Sequence, residues 1–379
     1  MVARLLRFAP RFALLSRLAL RRWQAPGESL QENRAAWERL ALRRGTPMQQ
    51  PGWTESFMES FAHVGALRLM TAGPRAQPTA VGTFIVRRSV AAPLEALAVR
   101  EISEPWDVLA ATPVAVCELA EKLAKEQRAV YIPRIPEDSV AVAALRAAYR
   151  KHGIVRIAQT DAYPTLALDE SWKTPENKFN SGRRSDFRRA RRHAEKQGAV
   201  TFEIVSPTPA ELPALLEEAW AVEAAGWKGE RGSSLTKDTH RGQFFRRFAF
   251  AAAQAGILRM GFMRVGGKAI AMQLATEADN RLWLSKIGYD EAFAKSSPGQ
   301  QLMMELVRWA AGRGIRTIEF LGQREPWTDL WTQQVTKCVS VRAYPFTPMA
   351  MATLALDAFA FVRSKVAKRV SGTFSEKKA

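Results

Sequence analysis

Three stretches in the second half of the chain hold residue types and spacings suited to chemistry. The first is Ser-Ser-Pro-Gly-Gln-Gln at Ser296–Gln301, followed by the amphipathic run LMMELVRWAAGRG. Ser297 suits a helix N-cap, Pro298 the first helical position, and Gln300 the far corner of a capping box. Gln301 continues the same turn. Gly299 is not explained by capping, because a glycine in a first turn costs about 1 kcal/mol relative to alanine. It is explained if something must approach the backbone closely. First-turn N–H groups are the positive end of the helix dipole, and a phosphate is the ligand they suit best. A tight turn alone is the plainer alternative.

The second stretch is the strand-like RLWLSKIGYD, whose far end carries Lys286, Tyr289 and Asp290 just before the loop into that helix. Strict alternation places Lys286 on the face opposite Trp283 and Ser285. The third is Thr317–Leu321, TIEFL, in which Glu319 faces away from Ile318 and Phe320. An exposed sheet face accounts equally for the lysine and tyrosine, and a structural ion pair for the glutamate. Other chemistries are not legible. Cys117 and Cys338 lie far apart with none of the four histidines beside them at metal-ligand spacing, so neither zinc nor a disulfide framework is expected. His193 and His240 read as solvated or capping residues.

The elements around these stretches form an ordered series. Val200–Val205 reads as a strand, Pro207–Ala225 and Thr236–Gly256 as helices. Three strands follow, joined by turns at Gly266-Gly267 and Asp279-Asn280. Then come the Ser-Pro-Gly loop and its helix, the strand TIEFLG, a short helix PWTDLWT, and a last strand CVSVRAYP. The first half mixes helices at 29–45 and 139–152, and a turn with a short helix within PGWTESFMESFAHVG, with strands ALRLMTA, AVGTFIVRR, LEALAVREI, AVYIPRI and IVRIAQTDAYPTLAL. Strict βαβ alternation is missing, so the expected class is α+β with mixed sheets.

The chain has 379 residues, of which 47% are hydrophobic, enough for two cored domains and incompatible with global disorder. Its net charge of +19 is unevenly placed: residues 1–50 carry +7, 178–200 carry +6 and 360–379 carry +5, leaving about +1 for the rest. That distribution argues against a broad nucleic-acid groove. Residues 1–27 hold six arginines and no acid, which suits a helix at an anionic membrane surface, with a basic tail or a targeting peptide as alternatives. Residues 347–379 read as an amphipathic helix, too short and interrupted to span a bilayer, with a basic tail. The basic helix after Ser185 reads as a solvated linker or as a contact for phosphate or anionic lipid.

Taken together, "WKG" at Trp227–Gly229, "AIAMQL" at Ala269–Leu274, "SKIGYDEAFAKSSPGQQL" at Ser285–Leu302 and "GIRTIEFLGQREPWTDLW" at Gly314–Trp331 resemble the GNAT acyltransferase superfamily. Within it they resemble the BioF2-like branch of CelD-type cellulose-biosynthesis proteins, related to the Fem-like aminoacyltransferases. The resemblance covers about residues 28–345 and implies tandem GNAT-like domains, each a central mixed sheet flanked by helices. A degenerate first copy is expected at 28–170, a basic linker helix at 171–200, an active copy at 201–346, and the terminal segments at 1–27 and 347–379.

The resemblance further implies transfer of an acyl group from acetyl-CoA or another acyl-CoA to an amine or hydroxyl of a sugar, lipid or cell-envelope precursor, in the cytoplasm or at the inner membrane. Ser297, Gly299, Gln300 and Gln301 would hold the donor pyrophosphate. The usual loop of the superfamily has two glycines where this one has a single glycine, which leaves aminoacyl-tRNA open as the donor. Direct attack by the acceptor needs positioning and an oxyanion contact. Lys286, Tyr289 and Asp290 are the candidates for binding phosphate, polarising the carbonyl or protonating the thiolate, and Glu319 for general base. Glu223, Trp227 and Lys228 would wall the acceptor pocket, with packing as the alternative for Trp227. No metal is expected. A non-catalytic scaffold of polysaccharide synthesis is the remaining alternative.

Overall fold

The computed structural model describes residues 30–74, 77–87, 89, 92–226 and 239–375. The arginine-rich segment 1–27 and its expected surface helix lie outside them. The first half supplies strands β1 (Ala66–Ala72), β2 (Ala80–Val86), β3 (Leu94–Ala96), β4 (Leu109–Ala110), β5 (Val130–Pro136) and β6 (Gly153–Ala167). The second supplies β7 (Val200–Val205), β8 (Leu258–Val265), β9 (Lys268–Ala278), β10 (Arg281–Tyr289), β11 (Thr317–Glu319) and β12 (Val335–Pro345). The helices are α1 (Leu30–Arg44), α2 (Pro51–Ser60), α3 (Val99–Ile102), α4 (Pro113–Lys125), α5 (Val140–Tyr149), α6 (Ser181–Glu195), α7 (Leu212–Ala224), α8 (His240–Gln254), α9 (Pro298–Gly312) and α10 (Pro348–Ser375). The class is mixed α+β, as expected.

The two half-sheets join into one, in the order β1-β2-β3-β5-β12-β6-β11-β10-β9-β8-β7, with β4 beside β2. The last strand, β12, crosses back and inserts between β5 and β6. The seam is β6 against β11, where Thr165, Leu166 and Ala167 pair with Glu319, Ile318 and Thr317. In the second half β7, β8, β9 and β10 form an antiparallel meander. Its turns use left-handed residues, Gly266 and Gly267 at φ +56° and +84° and Asp279 and Asn280 at +52° and +55°. Positive φ at both central positions matches the right-handed twist of the flanking strands.

Local expectations fail in four places. Residues 94–102 are not one strand, because β3 stops at Ala96 and a left-handed Ala98 turns the chain into a single helical turn. Helix α4 lies in a stretch to which no element was assigned, and its N-terminus is closed by Thr112, whose side chain accepts from Ala115 N–H at 3.3 Å. The basic helix α6 starts at Ser181, earlier than expected, because Asn180 caps it by accepting from Arg183 N–H at 2.8 Å. PWTDLWT is a series of turns and not a helix. There Trp331 donates from Nε1 to Gln300 at 2.9 Å, which ties the segment to α9.

One aromatic-rich core bridges the halves. Trp53 of α2 meets Phe244 and Phe248 of α8 edge-on, at ring-centroid distances of 4.7 and 4.8 Å. Ile85, Leu97 and Ile102 of the first half share this core with Trp220, Phe245, Trp283 and Leu321 of the second. Fully burying one such side chain contributes about 1.5–3 kcal/mol. The halves are thereby packed against one another through a shared core.

Candidate functional site

Strands β10 and β11 run parallel only over Arg281–Trp283, opposite Thr317–Glu319. Beyond Glu319 the chain turns away through Leu321, a left-handed residue at φ +61°. From Leu284 to Tyr289, β10 pairs with no strand on that side among the described residues, so the two strands splay apart.

A β-bulge sits inside β10. Leu284 pairs with Ala275 and Lys286 with Leu274, so Ser285 is the extra residue, its hydroxyl donating to Leu274 C=O at 2.9 Å. One extra residue reverses the facing of everything after it. Lys286 therefore lies on the Trp283 face, not opposite it, and its Nζ sits 4.2 Å from the centre of the Phe245 ring. Gly288 shares that face, and Ile287 and Tyr289 take the other.

On the Tyr289 face lies the start of α9. Ser297 is not a side-chain cap: it is left-handed, at φ +43°, and its carbonyl accepts from the N–H groups of Gln300 and Gln301, each at 3.1 Å. The expected capping box therefore does not form. Gln301 donates from its side chain to Ser296 C=O at 2.6 Å, and Gln300 is held by Trp331. Both glutamines thus brace the loop with their side chains, and with their own N–H groups taken by Ser297 C=O they leave the N–H of Gly299 as the first-turn donor. A β-carbon on Gly299 would meet only the Tyr289 ring, at 3.6 Å. Nothing in the fold requires glycine there. Beside it, Ser296 is 0% exposed and its hydroxyl has no partner among the described residues. Burial and the charge of Glu291 raise the Tyr289 pKa, so the phenol stays neutral and able to donate.

Two of the expected acid residues are engaged elsewhere. Asp290 accepts from Lys268 Nζ at 2.8 Å and caps the following turn by accepting from Ala292 N–H at 3.0 Å. Glu319 is 0% exposed, with one oxygen accepting from Thr165 at 2.7 Å and the other from Arg281 at 3.1 Å. Strand β11 therefore presents an ion-paired carboxylate at the seam.

The opposite face of β10 packs against α7. Gly288 admits the helix closely, since a β-carbon there would stand 3.2 Å from the Glu223 Cα, and Gly226 would similarly meet Tyr289 C=O at 2.8 Å. Glu223 is thereby buried over the strand. Trp227 and Lys228 lie outside the described residues. His240 does not stand alone: its ring centre is 4.5 Å from that of His63. His193 is partly exposed on α6.

Two residues that local patterns do not single out converge on this face from the first half. Glu104 is 9% exposed and its Oε2 has no partner among the described residues. Its burial raises its pKa, opposed by the positive charges of Lys286, Arg134 and Arg241. Arg134 donates to the carbonyls of Ser103 at 2.7 Å, Asp161 at 3.0 Å and Gly322 at 3.1 Å, and so ties the excursion after β3 to the turn after β11. The sequence signal was an acid next to a proline in the stretch ISEPWDV, which local patterns leave without a role.

Residues 181–329 match the family described as an acetyltransferase (GNAT) domain. No curated protein matches the chain by sequence. Among solved structures, the C-terminal domain of a protein described as a lysylphosphatidylglycerol synthetase from Agrobacterium fabrum is similar, with a TM-score of 0.53 and 12% identity over 86% of this chain and 95% of that one. A conserved protein from Bacteroides thetaiotaomicron gives 0.52 and 14%, over 83% and 97%. FemX gives 0.52 and 13%, over 84% and 96%. These likenesses concern the fold. Residues 181–329 therefore carry an acetyltransferase (GNAT) domain, set in a chain whose fold is similar to that of FemX over most of its length.

Proposed function

We propose that the protein transfers an acyl group from acetyl-CoA or another acyl-CoA to an amine or hydroxyl of a sugar, lipid or cell-envelope precursor. The start of α9 carries this reading. It combines Gly299 in a first turn where the fold leaves room for a β-carbon, and a buried Ser296 hydroxyl without a partner. Both features suit a phosphate approaching the helix backbone. Tyr289 stands beside them as a neutral donor, at the end of the splay between β10 and β11. The corresponding helix of the first half, α4, is closed by its own Thr112 cap, which fits a first copy without a donor site. Calorimetric titration with acetyl-CoA tests the donor directly, and its absence from the purified protein's ligands by native mass spectrometry together with no heat of binding would reject it.

One observation favours a second reading, an aminoacyl-tRNA donor. Helix α6 packs against residues 291–296, the segment that leads into α9. Arg189 and Arg191 are paired within the helix with Asp186 and Glu195, both at 2.8 Å. Arg183, Arg188 and Arg192 are exposed on it without ion-pair partners among the described residues. Replacing these three by glutamine is expected to leave acetyl-CoA affinity within about threefold, since a CoA donor is held mainly at the α9 backbone. An RNA donor would instead show a salt slope smaller by about 2 in the variant, from lost counterion release. Filter binding of tRNA across a salt series distinguishes the two.

Attachment at a membrane surface is part of the proposal. Among the described residues no helix is long and apolar enough to cross a membrane. Helix α10, however, exposes Leu356, Phe359, Phe361 and Val362 just ahead of the basic C-terminal sequence. Its start is tied to the body by Asp357, which accepts from Arg342 at 2.6 Å and from the Tyr344 hydroxyl at 2.7 Å. Apolar side chains beside lysines and arginines, each worth about 1 kcal/mol at an anionic surface, suit reversible binding. Deleting residues 1–27 or 358–379 is expected to shift the protein from anionic liposomes to the supernatant in sedimentation. Equal sedimentation of full-length and truncated chains would refute attachment through these ends.

A further inference from the structure

We propose that Glu104, contributed by the first half, accepts the proton of the attacking acceptor group on the Lys286 face of β10, so that the transfer site is composite. This rests on the acyl-transfer reading above. Glu104 is the one carboxylate among the described residues with a buried oxygen that lacks a partner. The other buried acids are occupied: Glu95 pairs with Arg87 and Arg100, Asp290 with Lys268, and Glu319 with Arg281 and Thr165, and Glu223 is likewise not without a partner. An unpartnered carboxylate oxygen in a protein interior is costly to keep, and a site that uses it is the usual reason for its presence.

The surrounding fold aims this side chain. Where the second half has its loop between β10 and α9, the first half has the excursion 97–112 between β3 and α4. Ser103, immediately before Glu104, is left-handed at φ +74°, an uncommon conformation for a serine. Its carbonyl is held by Arg134, and the carbonyl of Ile102 accepts from Arg241 of α8 at 3.3 Å. Trp106 closes the other side, its Nε1 donating to Thr83 C=O at 2.9 Å. Clamps from both halves thus fix Ile102 and Ser103 before Glu104 and Trp106 after it, while its own Oε2 is left without one. On the same face, the indole N–H groups of Trp220 and Trp283 are also buried without partners. Those donors suit the oxygens of a hydroxyl- or amine-bearing acceptor.

The step balances simply. The acceptor oxygen or nitrogen bonds to the thioester carbonyl carbon, its proton passes to Glu104 Oε2, and the carbon–sulfur bond breaks to release the thiolate. The proton on Glu104 then returns to the thiolate or to solvent. Burial supports the role, since it raises the carboxyl above its usual range and so makes it a stronger base, while the charges of Lys286, Arg134 and Arg241 oppose that shift and keep it able to ionise.

The test uses Glu104→Gln in the full chain, with acetyl-CoA as probe in a thiol-release assay and in calorimetry. Turnover is expected to fall about 10²- to 10⁴-fold with the low-pH limb of the rate profile lost, and acetyl-CoA affinity unchanged. Stability gives a second readout that does not depend on the donor. A carboxyl whose folded pKa is raised costs nothing below its unfolded pKa and costs most above its folded one. Glu104→Gln should therefore melt about 1–3 °C higher than wild type at pH 8 and no higher at about pH 4, below the usual glutamate range. Unchanged turnover with an unchanged pH profile overturns the proposal, and so does a lower melting temperature at both pH values, which would make Glu104 a structural partner of its cationic neighbours. If the wild type neither binds nor consumes acetyl-CoA, the donor reading fails instead, and the melting comparison alone decides for or against Glu104.

Discussion

Gly299→Val is expected to abolish measurable acyl-CoA binding while leaving the fold intact. The fold has no objection to a side chain here, since Gly299 does not take a left-handed φ and its β-carbon would touch only the Tyr289 ring, at 3.6 Å. Valine is also a better helix former than glycine, so the melting temperature should stay within a few degrees. What the branched side chain removes is the room for a phosphate to reach first-turn N–H groups, a contact of about 2.7–3.0 Å that tolerates no intervening methyl. A loss of at least 100-fold in acetyl-CoA affinity, about 2.7 kcal/mol, is the expected calorimetric result. Gly299→Ala should fall between the two. An unchanged affinity in a folded Gly299→Val protein would place the donor phosphates elsewhere, even if the protein proves to be an acyltransferase.

The parts of the fold written in local chemistry were readable. The Gly266-Gly267 and Asp279-Asn280 turns, the period of β9 and the start of α9 each follow from neighbours a few residues apart, and these are the elements that placed Tyr289 and Gly299 near one another. The bulge at Ser285 was not readable, because a period-2 pattern cannot reveal one inserted residue, and that single residue moved Lys286 across the sheet. Capping failed at Ser297 for a related reason: the left-handed backbone there is imposed by the loop from Tyr289 and not by the motif. Glu104 and Arg134 were out of reach altogether. Their meaning comes from contacts with residues 241, 286 and 322, far along the chain, made only when the two halves share one sheet. The insertion of β12 between β5 and β6 is likewise a fact of topology that no local pattern encodes.

Glu319 offers the sharpest separation between a chemical and a structural role. Sequence position makes it a candidate base, but its carboxylate spans the seam: Thr165 of β6 holds one oxygen and Arg281 of β10 the other, on a strand only three residues long. Those contacts help bind the first half of the sheet to the second. Removing one member of a buried ion pair costs about 3–5 kcal/mol, but Arg281 is 46% exposed and solvent screens part of that loss, so about 2–3 kcal/mol is expected for Glu319→Gln. In urea denaturation this appears as a lower midpoint with an unchanged slope. Below that midpoint, a structural role predicts that the folded variant retains turnover and donor affinity within a fewfold of wild type. A base role predicts the reverse, normal stability with turnover reduced by about 10²-fold or more. The comparison is cleanest against Arg281→Gln, which strips the same ion pair from its solvent-exposed side and leaves Glu319 itself in place. If the two variants lose similar stability and both keep turnover, Glu319 is a clamp at the seam, and the proton must go to another group.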